Sequence, residues 1–162
     1  MARTGPKDPD VDAQDPARRR RRTVDPAALG VIAVGGVLGS EARYALGLAA
    51  PHASGSWPVA TLVINVSGSL VLGALMVVLT ELTSPHRLIR PFLGVGVLGG
   101  YTTFSTAMVD AQELLRAGRP AVAMAYLAGT ALAALLAAAL GVALVRGIAA
   151  AWIRRRRRRE TR

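Results

Sequence analysis

Near-continuous apolar residues occupy four stretches of the chain, 27–49, 59–80, 89–115 and 121–148. Each is close to the ~20 residues a helix needs to cross hydrocarbon. The polar linkers are short: Pro51 to Pro58 holds Gly55 and Ser56, Glu81 to Arg90 holds Pro85, and Arg116 to Pro120 holds Gly118. Connections of that length predict one domain in which neighbouring helices pack antiparallel. The pattern predicts an all-α integral membrane protein with four transmembrane helices.

The third stretch departs from a plain apolar helix. Gly99 and Gly100 lead into Tyr101, Thr102, Thr103, Phe104, Ser105 and Thr106, a polar run at membrane depth. One reading is a helix broken mid-membrane, whose freed carbonyl and amide groups must find protein, ion or water partners because lipid offers none. The other is a Gly-rich packing face whose hydroxyls bond back to their own helix.

Polar residues in the other spans are few and spaced. Gly35, Gly36, Gly39 and Ser40 place small residues four apart, which lets another backbone approach. Arg43 then serves as an anion attractor, as a clamp on backbone carbonyls, or as a charge that snorkels outward. Asn65 and Ser69 share a helix face, continued by Gly73, and Tyr126 and Thr130 share one in the fourth span. Such seams suit helix-to-helix hydrogen bonds, and equally a set of donors to a desolvated anion.

Charge is segregated from the apolar stretches. The chain is 52% hydrophobic yet carries 20 Lys and Arg against 10 Asp and Glu. Residues 1–26 read as a disordered basic tail containing the arginine run 18–22, and 149–162 as a basic C-terminal tail containing the run 154–159. Flanking basic blocks are topology signals that also attract anionic lipid, so no nucleic-acid role is expected. The tails and the linker holding Arg87 and Arg90 fall on one side, against Arg116 and Arg119 on the other. That bias places both termini in the cytoplasm. With no Cys, and with His52 and His86 each in a linker beside a proline, no thiolate chemistry or His-rich metal centre is expected.

GGVLGSEARY in the first span, NVSGSL in the second and GGYTTFST in the third resemble, in order and spacing, the signature motifs of the CrcB/Fluc fluoride channels. The resemblance covers residues 29–146. It implies a fluoride-selective channel in a bacterial inner membrane that lets fluoride leave the cytoplasm passively, built as an antiparallel dimer of four-helix subunits with the third helix broken. It further implies a structural sodium ion at the dimer centre, held by the carbonyls of Gly99 and Thr102. Asn65, Phe104, Tyr126 and Thr130 would line the fluoride path, with Arg43, Ser69, Thr103, Ser105 and Asp110 in vestibule or structural roles.

Departures from the family pattern qualify this. Ala107 stands where a second Phe is usual, Asp110 where Glu is common, and Leu132 and Ala134 where Ser or Thr is expected. A strong one-way charge bias also opposes inserting the same chain both ways. Both features favour a related subunit of opposite orientation as partner, with a second copy of this chain as the alternative. A small multidrug-type proton antiporter using Glu41, or a non-transporting scaffold whose tails bind lipid, are the alternatives. An enzyme is disfavoured: Asp110 and Glu113 are the only acid pair on one helix face, expected where the third span meets water, and no nucleophile or metal set accompanies them.

Overall fold

The structure is a computed structural model that describes residues 25–51 and 55–160. His52 and the predicted N-terminal tail lie outside them, except that Asp25 and Pro26 start a helix. Helix α1 (Pro26–Ala49) begins there because Pro26 suits the first helical position and the Asp25 carboxylate accepts the Ala27 N–H at 3.0 Å. It ends before Pro51. Helix α2 (Val59–Val77) continues through a π-wound turn, Val78–Leu82, where Thr80 Oγ1 donates to the Met76 carbonyl at 2.7 Å and Thr83 Oγ1 to Val78 at 2.8 Å.

The third span is interrupted, as one of the two sequence readings expects. A π-wound segment, Pro91–Leu98, closes with a single turn, Gly99–Tyr101. The backbone turns extended at Thr102, where ψ is 154°, and helix resumes as α3 (Ser105–Arg116). Gly118, at φ 73°, makes the left-handed turn into α4 (Pro120–Glu160). Four segments, Pro26–Ala49, Val59–Leu82, Pro91–Arg116 and Pro120–Arg157, are long and apolar enough to cross a membrane.

The fourth helix does not stop at 148. It runs on through the arginine run, so 149–160 continue α4. No Gly or Pro follows Gly147, Ala and Arg favour helix, and cations near a helix C-terminus suit its dipole.

Packing differs from the expectation for short linkers. The closest partners are not sequence neighbours: α1 lies along the first half of the third span, and α2 along α4, while α1 touches α2 sparsely. Each close pair runs parallel, because Gly35 meets Phe92 and Gly96 whereas Gly39 meets Val97 and Tyr101, and Gly73 meets Ala138 whereas Glu81 meets Arg146. Glycine decides this. In lipid there is no hydrophobic drive between helices, so the pairs that approach most closely are those with small residues on both faces. The expected antiparallel contacts are present as well, α3 with α4 around Ala107, Ala111, Leu114, Ala123 and Tyr126, and α2 with the third span. Much of the remaining apolar surface, including Val34, Val37, Leu135 and Leu136, is exposed on this chain and faces lipid or another subunit.

Candidate functional site

The break at residues 102–104 is built by side chains that take over the hydrogen bonds of a continuous helix. Thr103 N–H, which would close a turn onto the Gly99 carbonyl, donates instead to Asn65 Oδ1 at 2.8 Å. Asn65 Nδ2 donates back to the Thr103 carbonyl at 2.8 Å. The carboxamide thus mimics a strand-like pairing with one residue of the break. Thr106 N–H, which would close onto the Thr102 carbonyl, donates to Thr103 Oγ1 at 3.1 Å, the geometry of a helix N-cap. Thr103 Oγ1 also bonds Thr106 Oγ1 at 2.9 Å.

Two carbonyls, those of Gly99 and Thr102, thereby lose their helical donors. They are the pair that the family resemblance assigns to sodium. Gly99 is exposed on the surface of this chain. Carbonyl oxygens are the donor type that a hard cation takes, and this chain supplies two of them here.

Arg43 contributes to the same break. Its Nε donates to the Gly100 carbonyl at 3.1 Å, the contact that a clamp on backbone carbonyls makes. Tyr101 is held by its hydroxyl against Ser67 Oγ at 3.0 Å, a contact that sequence spacing did not single out. Of the hydroxyls in the run 102–106, Thr102 alone bonds back to a carbonyl of its own helix, at 2.9 Å to Leu98. Ser105, exposed, reaches Thr103 Oγ1 at 3.3 Å.

Arg43→Met is expected to lower stability by about 1–3 kcal/mol, because the Gly100 carbonyl loses a charged donor at depth. Glu41→Gln, on the exposed side of α1, should stay within about 0.5 kcal/mol. Thermal unfolding of both purified proteins in detergent checks the contrast.

Two grooves flank Thr103. One, of about 240 Å³, is lined by Asn65, Ser69, Phe104, Ala107 and Thr130. Phe104 is 77% exposed, so its ring stands at the groove on an open face. Thr130 Oγ1 is buried near the Tyr126 hydroxyl without a hydrogen bond of good geometry. The other groove, of about 270 Å³, is lined by Ser40, Arg43, Tyr44, Thr61 and Thr106.

Asp110 lies elsewhere than expected, and Tyr126 is packed against it. Tyr126 is fully buried and does not line the first groove; its hydroxyl donates to Asp110 at 3.0 Å and its ring meets Trp57 edge-on at 5.8 Å. Asp110 is correspondingly buried, at 5% exposure, and does not reach water; only Glu113 is exposed. The reason is the close fit of α3 on α4, where Ala107, Ala111 and Ala123 bring the backbones together and carry Asp110 inward.

The family model described as CrcB-like protein, Camphor Resistance (CrcB), matches residues 30–142. Fluoride-specific ion channel FluC 2 of Streptomyces avermitilis is 49% identical over 124 residues, covering 76% of this chain and 78% of that protein. Fluoride-specific ion channel FluC 1 of Streptomyces coelicolor is 46% identical over 146 residues, 90% of this chain and 88% of that one. Fluoride-specific ion channel FluC 3, also of Streptomyces avermitilis, is 49% identical over 118 residues, 73% of this chain and 58% of that protein.

Proposed function

The chain belongs to the CrcB-like family of fluoride-specific ion channels, and on that premise we propose that it is one subunit of a channel that lets fluoride leave the cytoplasm passively. The observation that carries the reading is the break in the third span, with Asn65 pairing to Thr103 in a groove that also holds Phe104 and Thr130. A small anion that sheds water needs donors in its place, and a narrow lining of hydroxyl, amide and aromatic edge supplies them. Passage is driven by the gradient and involves no covalent step.

The carbonyls of Gly99 and Thr102 would hold a structural sodium ion, whose charge neutralises the carbonyl dipoles that the break exposes. Two carbonyls are too few for the oxygen shell of a hard cation, and an exposed break is costly in lipid. Both arguments favour a second subunit at this face, in an antiparallel dimer. The charge bias of the tails and the presence of Ala107 in the groove favour a paralogue of opposite orientation. Two numbered FluC proteins in Streptomyces avermitilis are a precedent for more than one such chain in one organism. The same bias puts both termini of this multi-pass protein in the cytoplasm.

The test is fluoride release from liposomes with sodium on both sides, read by a fluoride electrode with valinomycin balancing charge. Chain reconstituted with a paralogue from its own organism is expected to release fluoride rapidly, and replacing sodium by a large organic cation should stop it. Chain alone is expected to release little. Silence from correctly inserted chain with and without the paralogue would overturn the reading.

A further inference from the structure

Residues 55–58, which lead into α2, are fastened to the turn between α3 and α4. Gly55, at φ 80°, presents its carbonyl to Arg119, whose Nη1 donates to it at 2.5 Å, and a Cβ on Gly55 would lie 3.2 Å from that of Ala117. Pro58 is fully buried. Between these anchors the Trp57 ring meets α4 at two places. It packs edge to face with Tyr126, the planes at 89° and the centroids 5.8 Å apart, and its Cη2 lies 4.0 Å from the position of a Cβ on Gly129. Tyr126 and Gly129, three residues apart, share that face of the helix.

Tyr126 passes the contact on to α3. Its hydroxyl donates to Asp110 at 3.0 Å, with both residues buried. Thr130 lies one turn beyond Tyr126 on α4, and Ala107 one turn before Asp110 on α3. Those two residues line the groove that also holds Asn65 and Phe104. The spacing of two groove walls is therefore fixed where Tyr126 meets Asp110. An edge-to-face neighbour restrains the phenol ring, since aromatic pairs favour that arrangement over others. Trp57 is 42% exposed, so its removal leaves the packing of Ala107, Ala111, Leu114 and Ala123 in place.

We propose that Trp57 is a positioning residue for the fluoride path. Its ring holds Tyr126 so that the hydroxyl stays on Asp110, and that pair keeps Ala107 and Thr130 at the separation that passes the anion. The proposal rests on the reading of this groove as the path. Tryptophan also anchors helices at the membrane boundary. That role requires no contact with Tyr126, and neither leucine nor phenylalanine would fill it.

The test uses the full-length chain reconstituted with its paralogue, with fluoride release scaled to the amount of folded, inserted protein. Trp57→Leu is expected to slow release by up to about tenfold, the equilibrium worth of one edge-to-face pair. Trp57→Phe, which restores an aromatic ring, should release like the parent. Tyr126→Phe keeps its ring against Trp57 and gives up the hydroxyl. Adding Trp57→Leu to it should slow release no further, while the Tm of the double variant should still fall below that of Tyr126→Phe, because the ring contact is lost. Equal slowing by Trp57→Phe and Trp57→Leu means a boundary anchor and overturns the proposal. Losses of flux that multiply in the double variant mean packing unconnected with the hydroxyl, and overturn it as well. A parent pair that releases no fluoride refutes the reading of the groove and this proposal with it, whereas a conducting parent whose Trp57→Leu variant is not slowed refutes the proposal alone.

Discussion

Asn65→Ala is expected to abolish fluoride release and to destabilise the protein by about 2–6 kcal/mol. The magnitude follows from two buried backbone groups, the N–H and the carbonyl of Thr103, each losing its partner at about 1–3 kcal/mol. Asn65 is 8% exposed, so water does not readily replace it. Two outcomes separate structure from transport. Asn65→Asp keeps the oxygen that accepts from Thr103 N–H but sets a second acceptor against the Thr103 carbonyl, and should be as damaging as Ala. Ser69→Ala, in the same groove without a role in the break, should leave stability within about 0.5 kcal/mol while changing flux if the groove conducts. Thermal unfolding and electrode-recorded release on the same preparations provide the comparison. An Asn65→Ala protein of unchanged stability would refute the clamp, and one of unchanged flux would refute the path.

Gly39→Ala is the second large effect expected. A Cβ there would lie 2.8 Å from the Tyr101 backbone nitrogen and closer still to the Val97 carbonyl, so two backbones must move apart. Overpacking of this kind costs about 1–3 kcal/mol or more. The displacement also carries consequences beyond stability, because Arg43, one turn further along α1, reaches the Gly100 carbonyl only at this separation. Fluoride release is therefore expected to fall more than the fraction of folded protein does. Gly147→Ala is the control, since nothing lies within 4 Å of a Cβ at that position. It should be neutral or stabilising by up to about 1 kcal/mol, through helix propensity alone. If Gly39→Ala were tolerated as well as Gly147→Ala, the close pairing of α1 with the third span would be wrong.

The four spans were legible because a membrane helix has one overwhelming requirement, about twenty apolar residues in a row, and linear hydropathy reads it directly. The break was legible as one of two options, since Gly-Gly followed by Thr-Thr is compatible with either a packing face or an interruption. Asn65 decides between them. Its carboxamide diverts the Thr103 N–H from Gly99, and no local pattern around residue 103 reports a side chain 38 residues away.

The same holds for the pairing of spans. Linker length constrains which helices are near, and it favours sequence neighbours. The glycine faces at Gly35, Gly39, Gly96 and Gly100, and at Gly73 and Gly141, instead draw the first span to the third and the second to the fourth. Stripes of small residues can be seen in a sequence, but which stripe meets which is a property of surfaces in three dimensions. Asp110 was misplaced for a related reason. Its position near the end of an apolar stretch suggested water, whereas the alanines of α3 and α4 bring the helices close enough to bury it against Tyr126. At the C-terminus the arginine run read as a tail because charge ends a hydropathy pattern, although it does not end a helix.

By itself, then, the sequence determined the spans, the charge asymmetry, the family and the residue types at the break, since each is written in consecutive residues or in short spacings. Only the tertiary structure decided that Asn65 makes the interruption, that Arg43 clamps it, that Asp110 is buried and that parallel spans pair most closely. Those outcomes depend on distances between residues far apart in the chain, set by how nearly two backbones can approach where neither carries a side chain.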